Sequence, residues 1–211
     1  IQNDNARIRD GYLRVIKFVS LVTFPIMAGM FAVSHSLIAS VYGAKWLPAA
    51  AVLEIFCLVG TIQSILSPAS AVQYAKGRSD LSFKLNFIAL VGNLVAFFVG
   101  VKYGLMGVTI AFTLWTAALS PVIQGLTNKL IALRWRPFLI QLRLPMIGSA
   151  AIIAVVLGLR ALAGKALQLA SLSDLLVSVA AGVAVYGLIV LWKGRDLLRG
   201  RRTGPVRLRV I

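Results

Sequence analysis

Acidic groups are scarce in this sequence, which holds six carboxylates, one histidine and one cysteine against 22 lysines and arginines. The single Cys57 excludes an internal disulfide and a cysteine-based metal site, and inside an apolar run it reads as a small packing residue. Of Asp4, Asp10, Glu54, Asp80, Asp174 and Asp196, only Glu54 falls well inside an apolar run, so no carboxylate pair is available there for acid and base chemistry. No phosphate-cradling loop of the Walker type occurs, which excludes ATP hydrolysis by this chain. No catalytic residue, metal site or cofactor is therefore expected, and the chain reads as a non-enzyme.

Apolar residues are abundant. They make up 59% of the 211 residues, with charged residues at 13% and a mean hydropathy of +0.89, outside the range of soluble domains. They gather into six runs, approximately 15–39, 47–72, 83–101, 105–126, 144–163 and 172–192. Each suffices to cross a hydrocarbon core of about 30 Å as a helix, which takes roughly 20 residues. Backbone groups must bond internally in lipid, and the runs are too long and too little alternating for barrel strands. The fold class expected is all-α integral membrane, with a six-helix bundle over 1–193 and a basic tail over 194–211. The polar opening shows no signal-peptide cleavage pattern, and the missing initiator Met reads as truncation.

All but Lys45, Lys102, Arg160 and Lys165 of the 22 basic residues fall on one alternating set of connections, at both ends and after the second and fourth runs. Retention of Lys and Arg on the cytoplasmic side then places both ends in the cytoplasm and supports an even number of crossings. This distribution also removes nucleic acid as the reason for the net charge of +16. Anionic membrane lipids are a more natural partner for the basic tail, which reads as an anchor.

Polar residues inside the runs point to function, because they tend to face a bundle interior or a watery cavity. On the fourth run Thr109, Thr113, Thr116, Ser120, Gln124 and Asn128 trace one helical face at steps of three and four. On the third, Asn86, Asn93 and Gly100 recur every seven residues. On the second, Glu54, Thr61, Ser64 and Ser67 form a similar path, with Gln63, Ser70 and Gln73 near its cytoplasmic half. Such groups also tie helices together at about 0.6 kcal/mol each. Their concentration on three successive helices favours a cavity for a hydrophilic, uncharged ligand, with the more aliphatic last two helices as scaffold.

Glu54 leaves two readings open, a proton-coupling group or a residue that reaches the interface or bonds a neighbouring helix. His35 reads as interfacial, with a proton or sugar contact as the other reading. Pro25, Pro68 and Pro121 fall within runs and predict kinks suited to alternating access, whereas Pro145 is expected merely to begin the fifth helix.

Several short motifs occur in a telling order: Tyr12-Leu13-Arg14, Pro25 with Gly29, Val41-Tyr42-Gly43-Ala44-Lys45-Trp46-Leu47-Pro48-Ala49-Ala50, Ala75-Lys76-Gly77-Arg78 and Tyr103-Gly104-Leu105-Met106-Gly107-Val108. In these the sequence resembles the polysaccharide transporter family, flippases within a superfamily that also holds multidrug and peptidoglycan-precursor exporters. The resemblance implies two helical lobes around a central cavity, this chain being most of the second and the N-terminal lobe its missing partner. It further implies transport of undecaprenyl-diphosphate-linked oligosaccharide for O-antigen, capsule or exopolysaccharide, driven by an ion gradient, with a polysaccharide polymerase as a possible partner. A diphosphate calls for cations. Arg14, Lys17, Arg78 and Lys84 are the candidates in this chain, and the main cationic site is expected in the other lobe. Two alternatives make different demands. A multidrug exporter would favour an aromatic or acidic cavity, and a membrane enzyme of polysaccharide assembly would favour a large charged outer loop; the sequence has neither.

Overall fold

A computed structural model describes residues 4–163 and 172–199. Every long element in it is a helix, and no strand occurs among the described residues. The order is α1 (Asn5–Val41), a 3-10 turn (Ala44–Trp46), α2 (Pro48–Leu66), α3 (Ala69–Ala75), α4 (Ser79–Val101), α5 (Gly104–Leu130), α6 (Trp135–Ala163) and α7 (Leu172–Arg199).

Five segments are long and apolar enough to cross a membrane: α1, α2 with α3, α4, α5 and α6. The sixth run lies in α7, whose described apolar stretch Leu176–Leu188 is shorter. Large apolar side chains cover the outside, with Phe98 77% exposed, the reverse of a water-soluble protein. The chain is an all-α, multi-pass membrane protein.

The helix ends follow from local chemistry. Asp4 caps α1 by accepting a bond from the Arg7 N–H at 3.0 Å. At 37 residues α1 is about 55 Å long, so its polar first turns extend beyond an apolar core of about 30 Å. After α3 the chain reverses at Gly77, whose φ of 69° is open to glycine, and the Arg78 N–H returns to the Gln73 carbonyl at 2.9 Å. Gly43, with φ 87°, does the same work after α1, and Pro48 opens α2 where its missing donor is free. The short motifs at 43–48 and 75–78 are thus helix-ending and helix-starting devices.

Helix α5 ends similarly at Ala132, although this residue carries a side chain at φ 51°. The Leu133 N–H returns to the Asn128 carbonyl at 2.9 Å. Expected to begin near 144, the fifth spanning helix begins at Trp135 instead, because 135–143 contains no residue that stops a helix and Pro137 sits in the first turn. Pro145 therefore does not begin the helix. It lies inside α6, fully buried. Arg136 and Arg143 accordingly stand on the helix rather than in a loop. At the other end, α7 continues through Arg199, so the expected tail starts as helix, and 200–211 lies outside the described residues.

Side by side the helices run in the order α4, α5, α2, α1, α6, with α7 against both α1 and α6, and with α3 packed on α4 and α5. The ends alternate. Tyr12, Val72, Ile131, Leu133 and Phe138 form one core cluster at the end bearing most of the basic residues. Ala32, Val33, Ile152 and Val156 form another deeper along α1 and α6.

Three prolines alter the backbone, each differently. Pro68 divides the second span into α2 and α3. Pro25 stays within α1 and deprives the Leu21 carbonyl, four residues earlier, of its donor. The Tyr186 hydroxyl of α7 supplies that donor at 2.5 Å. Pro121 likewise orphans the Ala117 carbonyl, and the neighbouring Ser120 hydroxyl bonds it at 3.0 Å. In lipid such carbonyls have no water to turn to.

Candidate functional site

The break at Pro68 opens a polar cleft of about 250 Å³ between α2, α3, α4 and α5. Gln63, Ser67, Ser70, Gln73, Ser82 and Asn86 line it together with Leu66, Ala69, Leu85 and Ile123. Six of these ten carry an amide or hydroxyl, and none is charged. Ser82 is only 1% exposed, and its hydroxyl has no hydrogen-bond partner. A buried donor left without a partner costs about 1 to 3 kcal/mol, which a polar ligand in the cleft would relieve. Three other cavities differ in character: one between α1, α2 and α6, one between α1, α6 and α7, and one between α4 and α5 are lined almost wholly by apolar side chains, while a charged hollow lies at the start of α1.

One wall of the cleft is locked. The Gln73 amide donates to the Thr127 hydroxyl at 3.0 Å, latching α3 to α5. Beside it, the Tyr12 hydroxyl donates to the Gln124 carbonyl oxygen at 3.0 Å and the Gln124 amide donates to Asn128 at 2.8 Å, tying α1 to α5. All five of these residues are buried.

Of the residues marked in the sequence, Asn86 lines the cleft, and Gln63, Ser67, Ser70 and Gln73 join it. Gln124 belongs to the buried tie with Tyr12. Thr61 borders the apolar groove facing α1 and α6, and its hydroxyl bonds the Cys57 carbonyl at 2.9 Å. Ser64, Thr109 and Thr113 spend their hydroxyl donors on carbonyls of their own helices, at 2.8, 2.9 and 2.7 Å. Asn93 and Thr116 are half-buried on α4 and α5. Gly100 is a packing residue, since a Cβ there would stand 2.5 Å from the Val108 Cα. Glu54 is remote from the cleft, at the opposite end, where it accepts from Ser34 of α1 and lies 3.2 Å from His35 Nδ1.

The four headgroup candidates do not converge. Arg78 is engaged with Asp80 through bonds of 3.1 and 3.4 Å, Arg14 shares a surface hollow with Asp4, Arg7 and Asp10, Lys84 is exposed, and Lys17 is half-buried on α1.

Two features escaped the sequence reading. Ser82 lies one turn before Asn86 on the face that also carries Asn93, so extending that stripe by four residues reaches it. The His35–Glu54 pair follows from hairpin symmetry, because His35 lies as far before Val41 as Glu54 lies after Pro48.

Residues 1–51 match the family model described as polysaccharide biosynthesis protein. Over 208 residues, 94% of its length, the chain is 30% identical to the teichuronic acid biosynthesis protein TuaB of Bacillus subtilis (strain 168), covering 42% of it. It is also 30% identical over 152 residues to the lipopolysaccharide biosynthesis protein WzxC of Escherichia coli (strain K12), a match over 67% of the chain and 31% of that protein. The chain is thus similar to proteins of polysaccharide biosynthesis. A third relative in this family comparison, an uncharacterized membrane protein in the cps region of Klebsiella pneumoniae, is 26% identical over 56% of the chain and 24% of its own length. The chain spans less than half the length of the curated relatives it matches. No solved structure gives a significant match.

Proposed function

We propose that the chain is one lobe of an exporter that moves a lipid-linked oligosaccharide, carried on undecaprenyl diphosphate, across a bacterial inner membrane for polysaccharide synthesis. The observation that carries this reading is the uncharged polar cleft at the Pro68 break, with the buried, unpartnered Ser82 hydroxyl in its wall. Amides and hydroxyls both donate and accept, which matches the alternating demands of sugar hydroxyls. Asn86, Gln63 and Ser70 contact the sugar from three elements, while Gln73 holds the α3 wall on α5.

The remaining parts follow. α7 makes the sixth crossing, and the basic connections hold both ends in the cytoplasm. The cleft lies in that basic half, so the lobe meets its glycan from the cytoplasmic side, with Arg14, Lys17 and Lys84 on the same side for the diphosphate and the other lobe completing the cavity. The two lobes alternate access by rocking, with the broken second span as the part that yields. The lobe does no covalent chemistry, and a polymerase takes the exported unit on the far side. The uncharged lining disfavours a cation exporter.

Photo-crosslinking tests this. A lipid-linked oligosaccharide bearing a diazirine on a sugar, added to the full-length parent in liposomes, should label peptides 63–73 and 82–86, and excess unlabelled oligosaccharide should abolish the labelling. Labelling confined to the apolar grooves, or uniform over the chain, would overturn the assignment.

A further inference from the structure

At the end of the bundle opposite the basic connections, the Glu54 carboxylate is set within the apolar second span. Its Oε1 accepts from the Ser34 hydroxyl and lies 3.2 Å from His35 Nδ1, so two residues of α1 converge on one oxygen of α2. Ser34 is buried at 1% exposure, whereas the His35 side chain is 59% and that of Glu54 29% exposed. The site is therefore anchored on a buried hydroxyl and open to water at its imidazole.

We propose that His35 and Glu54 form a proton-binding site that fastens α1 to α2 at this end. An ionised carboxylate only accepts, so the neutral imidazole presents Nδ1–H to Oε1 and keeps Nε2 free. One proton from water binds the Nε2 lone pair. Hydronium gives up that proton, its O–H bond breaking to leave water as the Nε2–H bond forms, and the pair passes from a net charge of minus one to zero as an imidazolium–carboxylate pair. Without that proton an uncompensated carboxylate sits within an apolar span and is drawn toward water, away from α1. Acidification closes the hairpin end and alkalinity loosens it.

The other titratable groups on elements packed here, among the described side chains, are Tyr42 and Lys45 at the connecting turn, Cys57 along α2, and Lys102 and Tyr103 at the α4–α5 turn. The test must set these aside. Nitroxides at Val41→Cys and Leu58→Cys, in a Cys57→Ser background in nanodiscs, report the α1–α2 separation by electron-spin resonance. Between about pH 5.5 and about pH 8 the separation should shift to longer, broader values. That shift should vanish in His35→Gln and in Glu54→Gln, and persist in Ser34→Ala and Lys45→Gln. A separation independent of pH, or a shift retained in both His35→Gln and Glu54→Gln, would overturn the proposal. Helicity by circular dichroism at both pH values guards against reading an unfolded variant as a loss of response.

Discussion

At the residue scale, much of the polar content of this bundle repairs the backbone. Tyr186 is the clearest case, because its hydroxyl occupies the carbonyl that Pro25 strips of a partner. Tyr186→Phe should cost about 1 to 3 kcal/mol of stability, measured by denaturant unfolding in micelles. Adding Pro25→Ala restores the N–H donor and should recover most of that loss, a double-mutant coupling that a simple packing role for the ring would not give. Ala132 offers the opposite sign. Its left-handed backbone disfavours a side chain by roughly 1 kcal/mol, and it is exposed, so Ala132→Gly should raise the unfolding free energy by a fraction of that amount. The sequence marks hydroxyls but does not say what they bond. Thr109 and Thr113 sit on the expected stripe, yet their donors are consumed within α5, whereas Ser82 keeps its donor free. Periodicity gives a face; only packing tells whether a neighbouring helix, its own carbonyl or a cavity lies there.

At the element scale, the six apolar runs foretold the helices because length, hydropathy and the need to close every backbone bond in lipid all point one way. Boundaries were less legible. The fifth helix starts well before its apolar run, since Arg136 and Arg143 are good helix formers despite their charge. At Pro68 the expected kink interrupts the helix over two residues that keep right-handed helical dihedrals, and the cleft lies beside it. Pro68→Ala should fuse α2 and α3 into one helix, visible as slowed hydrogen exchange across 66–70, and should narrow the cleft. The α4–α5 turn depends on close backbones at Gly100 and Gly107, where a Cβ would meet backbone atoms at 2.5 Å. Gly100→Leu should therefore reduce folded yield far more than a comparable change at exposed Gly77 would through packing, because nothing lies within 4 Å of a Cβ there.

At the scale of the whole molecule, the basic residues and the packing agree on an alternating bundle. Contacts such as Lys76 Nζ to Asn5 at 2.7 Å join connections at the basic end, and His35 with Glu54 joins helices at the other. Polar residues of the second and third spans meet at the cleft, whereas the fourth span brings only Ile123 to its lining, so its polar stripe lies elsewhere. Fewer of the marked residues line it than expected, because pairing between helices decides which part of a stripe stays open. The resemblance seen in short turn motifs is matched by one relative aligned over 94% of the chain and a second over 67%.

If this cleft handles the glycan, transport depends on its polar wall. Flipping of a fluorescent undecaprenyl-diphosphate oligosaccharide by the full-length parent in liposomes should fall about tenfold or more in Ser82→Val and Asn86→Leu, each removing a sugar-facing polar group. Thr113→Val, which loses only a bond within its own helix, should flip at close to the unmodified rate. Normal flipping by both cleft variants with their folding intact would contradict the account and leave the cleft as a packing defect of the broken helix.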